Sequence, residues 1–289
     1  MLQIQSRLRT HFLQFLIFLI IVLFLLTIAL IFNSLTTDNC NCPIQQYVEN
    51  KSEKDRNIKY KSAHKLAVLV PFRDRFDELL QFAPYIHNFL NKQHINHNIF
   101  ILNQVDPYRF NRASLINVGY LYTSETHDYI AMHDVDLLPL NDQLSYDYPK
   151  HHPHHIAAPH LHPRYNYSKF VGGILLVNRE HFRSVDGMSN KYWGWGLEDD
   201  EFYVRLREAN LEVTRPVDIT TNRSNTFRHI HGSYRKRDTT KCYNQREVTR
   251  KRDRQTGLHN VNYTITSIKN ITIDNATIKI LNIHLMCNN

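Results

Sequence analysis

Apolar residues fall into three regimes along the chain. From Phe12 to Phe32 they are almost unbroken (FLQFLIFLIIVLFLLTIALIF), with no Asp, Glu, Lys or Arg between Arg9 and Asp38. At 1.5 Å rise per residue such a helix crosses a hydrocarbon core of about 30 Å. A cleaved leader fits less well, because leaders carry an apolar stretch of roughly 7–15 residues and a small-residue cleavage site; here Asn33-Ser34-Leu35-Thr36-Thr37 follows. Residues 33–62 are polar and charged without a sustained period, which reads as a stem. From Ala63 onward, short apolar runs alternate with helical spacing.

The pattern there predicts a strand at Lys65-Leu-Ala-Val-Leu-Val-Pro71 and a helix over residues 77–91, where Leu79, Leu80, Phe82, Ala83, Ile86, Phe89 and Leu90 fall at helical spacing. A second strand follows at residues 98–102, a helix at 113–123 and a third strand at 129–133. Strand, helix, strand, helix, strand is a βαβ series and implies an α/β fold with a mostly parallel sheet. Ligands of such sheets bind beyond the carboxyl ends of the strands, which places residues 71–75 and Asp134-Val135-Asp136 at a site.

Composition narrows the picture. The chain has 289 residues, 42% hydrophobic and 21% charged, with 8 Gly and 10 Pro, which excludes fibrous and wholly disordered classes. The net charge of +8 favours an acidic partner without choosing one. Four cysteines (Cys40, Cys42, Cys242, Cys287) are too few for a disulfide scaffold; Cys242 and Cys287 either pair in an oxidising lumen or stay free. Arg7 and Arg9 before the apolar run and Asp38 after it predict a type II topology, with residues 1–11 cytoplasmic, 12–32 a signal anchor, 33–62 a lumenal stem and 63–289 the lumenal body. Six Asn-x-Ser/Thr triplets (Asn50, Asn166, Asn222, Asn262, Asn270, Asn275) agree with that orientation, although composition alone gives about three. A lumenal body does not meet nucleic acid.

Three segments carry candidate chemistry. Asp134-Val-Asp136 puts two carboxylates at a strand end, suited to a hard divalent cation and, through it, a diphosphate, although acidic pairs there also serve as turn residues. In Arg228-His229-Ile230-His231 the imidazoles at i and i+2 face the same side of a strand, and with one carboxylate they suit Mn²⁺ in an open site better than a closed structural zinc. Tyr192-Trp-Gly-Trp-Gly-Leu-Glu-Asp-Asp-Glu-Phe202 holds both tryptophans beside consecutive carboxylates, ahead of a helical pattern from Phe202. An acidic helix start accounts for part of it; an apolar platform and a base for a sugar hydroxyl account for all of it. The tract His151-His152-Pro153-His154-His155 with His160 and His162 reads as a loop, and the basic run 235–254 is either a solvated face or a contact for an acidic acceptor.

Taken in order, Pro71-Phe-Arg-Asp-Arg75, Phe110-Asn-Arg-Ala113, Asn117-Val-Gly119, Asp134-Val-Asp136, Phe170-Val-Gly-Gly173, Trp193-Gly-Trp-Gly-Leu-Glu-Asp-Asp200, Ile219-Thr-Thr221 and Phe227-Arg-His-Ile-His231 resemble the animal β-1,4-galactosyltransferase family. The His-x-His pair is most similar to members that place galactose on xylose. The resemblance implies a GT-A fold on a Golgi-membrane anchor and Mn²⁺-dependent, inverting transfer from UDP-galactose to the 4-hydroxyl of xylose on a proteoglycan core protein. By the same resemblance, Asp136, His229 and His231 ligate the metal. Pro71, Phe72, Arg73, Arg75, Phe110, Arg112, Asp134, Val135 and Trp195 line the donor. Tyr165, Tyr167, Trp195, Glu198, Asp199 and Asp200 hold the acceptor, with Asp199 as general base. Phe170 departs from the family's usual Tyr, a position associated with telling galactose from its N-acetyl derivative. Two other readings remain: transfer to N-acetylglucosamine, and a catalytically silent lumenal sugar-binding protein of the same fold.

Overall fold

In the computed structural model of the chain, the described residues are 17, 19–28, 60, 63–231 and 252–286. Two compact units divide at residues 56 and 57. In the first, residues 17 and 19–28 are helical with exposed Ile, Leu, Val and Phe side chains. Among the described residues no helix is long and apolar enough to cross a membrane; the rest of the expected span, the stem apart from Tyr60 and all four cysteines lie outside them.

The second unit is built on a seven-stranded sheet whose centre is parallel. Strand β1 (Lys65–Phe72) is apolar from Leu66 onward because both of its faces are covered there. It pairs in parallel with β2 (Asn96–Gln104) on one side and β3 (Tyr129–His133) on the other. Helix α1 (Phe76–Lys92) returns the chain from β1 to β2, burying the Leu79, Phe82, Ala83, Ile86, Phe89 and Leu90 stripe. Helix α2 (Arg112–Thr123) returns it to β3, capped by Asn111, whose side chain accepts from the Ser114 N–H. Gly119 allows α2 to lie close on the sheet, since a Cβ there would stand 2.7 Å from Leu102 Cδ1.

The chain then departs from a simple βα alternation. After β4 (Leu137–Pro139) and the two-residue β5 (His154–His155), β6 (Ile174–Asn178) pairs antiparallel with both β3 and β5. The His151 to His162 tract is thus not all loop. His154 and His155 join the sheet edge, and His155 is buried with Nε2 2.8 Å from the Gly172 carbonyl oxygen. Short α3 (Arg179–Ser184) and α4 (Glu198–Glu208) follow, and β7 (Phe227–His229) pairs with β4 in a separate two-stranded sheet. At the far edge β9 (Ala276–Leu285) lies parallel to β2 and antiparallel to β8 (Tyr263–Ile273), giving the order β5-β6-β3-β1-β2-β9-β8. One apolar cluster, with Phe82, Ile86 and Tyr146, covers one face of the sheet, and another, with Leu115, Phe182 and Phe202, covers the other.

Candidate active site

The carboxyl end of β3 delivers Asp134, whose N–H donates to the Gly173 carbonyl at 2.9 Å, and the chain turns through buried Val135 to Asp136 and β4. Because Leu137 pairs with His229 and the Ile230 N–H donates to the Asp136 carbonyl at 2.7 Å, Asp136 stands opposite Ile230, between the two histidines. Their rings lie on one side, stacked with centroids 5.3 Å apart. Asp136 Oδ2 is 3.6 Å from His229 Nε2 and 3.2 Å from His231 Nδ1. One ligand atom from each of the three falls within 4.8 Å of the others, and among the described residues this is the one cluster of that kind. A carboxylate and two imidazoles form a mixed O/N set that leaves open positions, which fits Mn²⁺ or a similar divalent ion. Burial and the charge of Asp134 push the Asp136 carboxyl up, and both imidazoles pull it back.

Arg112, at the start of α2, joins the strand end to the acidic helix. Its Nε donates to Asp134 Oδ1 at 3.0 Å and one terminal nitrogen to Asp199 Oδ1 at 2.9 Å. Burial alone would push the guanidinium down, but Asp134, Asp199 and Glu198 together hold it firmly charged. The carboxylates feel the reverse balance. Burial raises Asp199, with Asp134 and Asp200 adding to the rise and Arg112 opposing it. Glu198 is pushed up to about 8 by burial and by the charge of Asp199, and its Oε2 has no hydrogen-bond partner among the described residues.

The loop before α4 depends on its glycines. Gly194 (φ +96°) and Gly196 (φ +102°) occupy the left-handed region, and the Gly194 N–H donates to the Phe110 carbonyl at 2.7 Å. A Cβ on Gly194 would run into the Arg109 guanidinium, whereas one on Gly196 meets no atom within 4 Å. Gly196→Ala is therefore expected to cost about 1–2 kcal/mol from φ alone, and Gly194→Ala more; thermal melts of the two variants check the order. Trp195 between them is 50% exposed. Leu197 also has positive φ (75°) and turns the chain into α4, whose first turn carries Glu198, Asp199, Asp200 and Glu201 at the positive end of the helix dipole.

Comparison with known proteins gives the family. Residues 43–149 match the sequence profile of the N-terminal region of glycosyl transferase group 7, and residues 152–230 match that of the N-terminal domain of galactosyltransferase. The β-1,4-galactosyltransferase 7 of Drosophila melanogaster is 63% identical over 228 residues, covering 78% of this chain and 71% of the relative. The chain belongs to the β-1,4-galactosyltransferase family. A Caenorhabditis elegans relative, the xylosylprotein 4-β-galactosyltransferase, is 50% identical over 231 residues, covering 78% of this chain and 80% of its own. The crystal structure of an Asp→Asn mutant of the Drosophila enzyme in complex with manganese, UDP-Gal and xylobiose superposes with a TM-score of 0.77 at 62% identity, over 78% of this chain and 95% of that one. The mixed α/β fold with its mostly parallel sheet is thus GT-A-like.

Most of the residues singled out from sequence fall into three neighbouring groups, and those at the end of β1 form a separate set. Asp136, His229 and His231 converge, and Arg112 links Asp134 to Asp199. Tyr165 and Tyr167 pack against Phe170 with ring centroids 4.9 and 5.5 Å apart, and Tyr167 hydrogen-bonds Asp200. Phe170 is buried among these rings, His155 and His162, and a Cβ on nearby Gly172 would collide with both Phe170 and Asp199, so the aromatic group borders the carboxylates. At the end of β1, Phe72 is buried and Pro71 pairs with Leu102. Arg73 donates to the carbonyls of Tyr108 (2.6 Å) and Asp106 (2.9 Å) and lies 6.0 Å from the Phe110 centroid, so its head clasps the loop after β2. Arg75 pairs with Glu78 at 3.4 Å.

Two supports of the site were given no role from sequence, although Asn117 lies in one of the motifs quoted above. Asn117, wholly buried, donates to the Met188 carbonyl at 2.7 Å and accepts from the Met188 N–H at 2.9 Å, tying α2 to the start of the tryptophan loop. Asp253 is buried at the end of a basic run. It accepts from Ser189 Oγ at 2.6 Å and pairs with Lys191 at 3.2 Å, which fixes the same loop from the other side.

Proposed function

We propose that this chain transfers galactose from UDP-galactose to the 4-hydroxyl of xylose on a proteoglycan core protein, in one inverting displacement. The observation that carries the reading is the Asp134–Arg112–Asp199 link, which sets a buried carboxylate beside the strand end that carries Asp136. The xylose acceptor is supported by the name of the worm relative and by the xylobiose bound to the fly enzyme.

Asp199 accepts the proton of the xylose 4-hydroxyl as that oxygen attacks the anomeric carbon from the face opposite departing UDP, so no enzyme nucleophile is needed. Arg112 holds the Asp199 carboxylate in place and keeps more of it ionised. Asp136, His229 and His231 would hold Mn²⁺, which when bound supplies positive charge to the diphosphate of the donor. Trp195 offers its exposed ring to the sugars, and Tyr165, Tyr167, Glu198 and Asp200 border the acceptor. Pro71, Phe72, Arg73, Arg75, Phe110 and Val135 shape the donor side.

The test is transfer from UDP-galactose to an aryl β-xyloside, with N-acetylglucosamine as competing acceptor, with and without Mn²⁺. The expected result is metal-dependent galactosylation of the xyloside, lost on chelation and in His229→Ala. A folded protein that binds UDP yet galactosylates neither sugar would leave the silent binding protein in its place.

The pH profile adds a sign. Asp199 works ionised and its carboxyl is raised by burial, so kcat/KM is expected to fall as pH drops through a value above that of an ordinary aspartate. Arg112→Met removes the opposing charge and moves that limb to still higher pH. A limb unmoved in Arg112→Met would contradict the assignment of the base.

The reading extends to the cell. Residues 12–32 anchor the chain in the Golgi membrane as a single type II span, residues 1–11 stay cytoplasmic, 33–62 form a lumenal stem, and 63–289 act in the lumen. Protection of the body from protease added to intact microsomes tests this orientation.

A further inference from the structure

Three of the six Asn-x-Ser/Thr triplets crowd into residues 262–275, where composition spreads about three over the whole chain. Asn262 precedes β8, Asn270 lies within it, and Asn275 sits in the turn before β9. Asn270 and Asn275 are exposed.

Strand β8 ends the seven-stranded sheet, so one of its edges has no strand partner among the described residues. It runs for 11 residues, whereas β5 at the opposite end has 2. A long open edge presents unpaired N–H and C=O groups to another chain, and proteins blunt such edges with charge, proline or a bulge. Here Lys269 and the register shift between Ile265 and Ser267 serve the first part of the strand, and there is no proline. Residues 270–273 have none of these devices, and Ile271 among them and Ile268 just before them are exposed. What this part of the hairpin does carry is two sequons.

We propose that Asn270 and Asn275 bear N-linked oligosaccharides and that these glycans cover the open edge of the sheet. The inference rests on the lumenal placement of the body given above. In the reaction the side-chain amide nitrogen bonds to the anomeric carbon of an oligosaccharide carried on a polyprenyl diphosphate. The bond from that carbon to the diphosphate oxygen breaks, the lipid diphosphate leaves, and the amide releases one proton. The product amide keeps one N–H, enough for the bond that Asn275 Nδ2 donates to Asn88 Oδ1 at 2.7 Å.

The position also leaves catalysis clear. From β8 to β3 the sheet takes four interstrand steps, about 19 Å at ~4.8 Å each. Asn166 is the contrast. It is exposed between Tyr165 and Tyr167, where an oligosaccharide would stand over the acceptor side, so it stays unmodified.

The test expresses the full chain in animal cells, releases N-glycans enzymatically in heavy-oxygen water and maps the labelled aspartates by mass spectrometry, with protease protection of microsomes run in parallel. Label at 270 and 275 and none at 166 is expected. Unlabelled 270 and 275 in a protease-protected body would overturn the proposal alone. A body digested from outside the microsomes would overturn the lumenal reading and the proposal with it. The Asn270→Gln/Asn275→Gln variant is expected to shift to larger species in sedimentation, with kcat/KM of the unshifted fraction unchanged. Sedimentation identical to the parent would overturn the shielding role.

Discussion

Asp199→Asn is expected to leave a folded protein that binds UDP-galactose normally and transfers galactose about 10²–10⁴-fold more slowly, the range that a positioned general base contributes. The amide keeps the shape of the side chain and can still accept from Arg112, so the 2.9 Å contact and the packing against Gly172 survive. What is lost is the ability to take a proton. Glu198 is a poor substitute, because burial, the largest cause of its raised carboxyl, still favours its neutral form once the charge of Asp199 is gone. Steady-state kinetics with separate donor titration check the prediction: kcat collapses while donor affinity holds. A variant within a few-fold of the parent would place the base elsewhere.

The largest loss of stability is expected at Arg205. This side chain is 3% exposed and holds four parts of the chain together. Its Nε donates to both Glu201 oxygens at 2.9 and 2.8 Å, and its terminal nitrogens donate to the carbonyls of Gly187 (3.2 Å), Asp253 (3.0 Å) and Thr256 (2.8 Å). Arg205→Met leaves Glu201 buried without its cation, a change that costs about 3–5 kcal/mol. The sign with pH follows. Burial already raises the Glu201 carboxyl, Arg205 opposes the rise, and without Arg205 the folded state binds that proton more tightly than the unfolded chain does. The deficit therefore grows as pH rises through the window between the unfolded and folded values, and shrinks in acid. Denaturant melts at several pH values check it. Arg205→Met/Glu201→Gln, which removes both charges, is expected to recover much of the loss and flatten the pH dependence.

The legible parts of the fold were those with local signatures. Strands β1 and β3 are covered on both faces and read as near-continuous apolar runs, β2 shows the same only at its centre, residues 99–102, and the stripe of α1 repeats at helical spacing. The metal candidates could be read because Asp136 ends a strand and His229 and His231 sit two apart, although pairing across β4 and β7, which brings them together, is separated by some ninety residues of chain. Helix α4 begins at Glu198, ahead of the pattern from Phe202, because an acidic first turn stabilised by the helix dipole shows no apolar period. Strand β8 was hidden for a related reason. As an exposed edge strand it carries Thr, Ser, Asn and Lys on both sides, and only its pairing with β9 reveals it. Asp253 and Arg205 were invisible because their partners are distant in sequence and a lone acid in a basic run looks like surface.

A single displacement in which the xylose 4-hydroxyl, deprotonated by Asp199, attacks opposite departing UDP fixes the linkage and the stereochemistry of the product. Nuclear magnetic resonance of the disaccharide made from UDP-galactose and an aryl β-xyloside reads the linkage and the anomeric configuration together. The account predicts galactose joined β to O4 of xylose, with inversion from the α-linked donor. An α-linked product, or attachment at another hydroxyl, would contradict it.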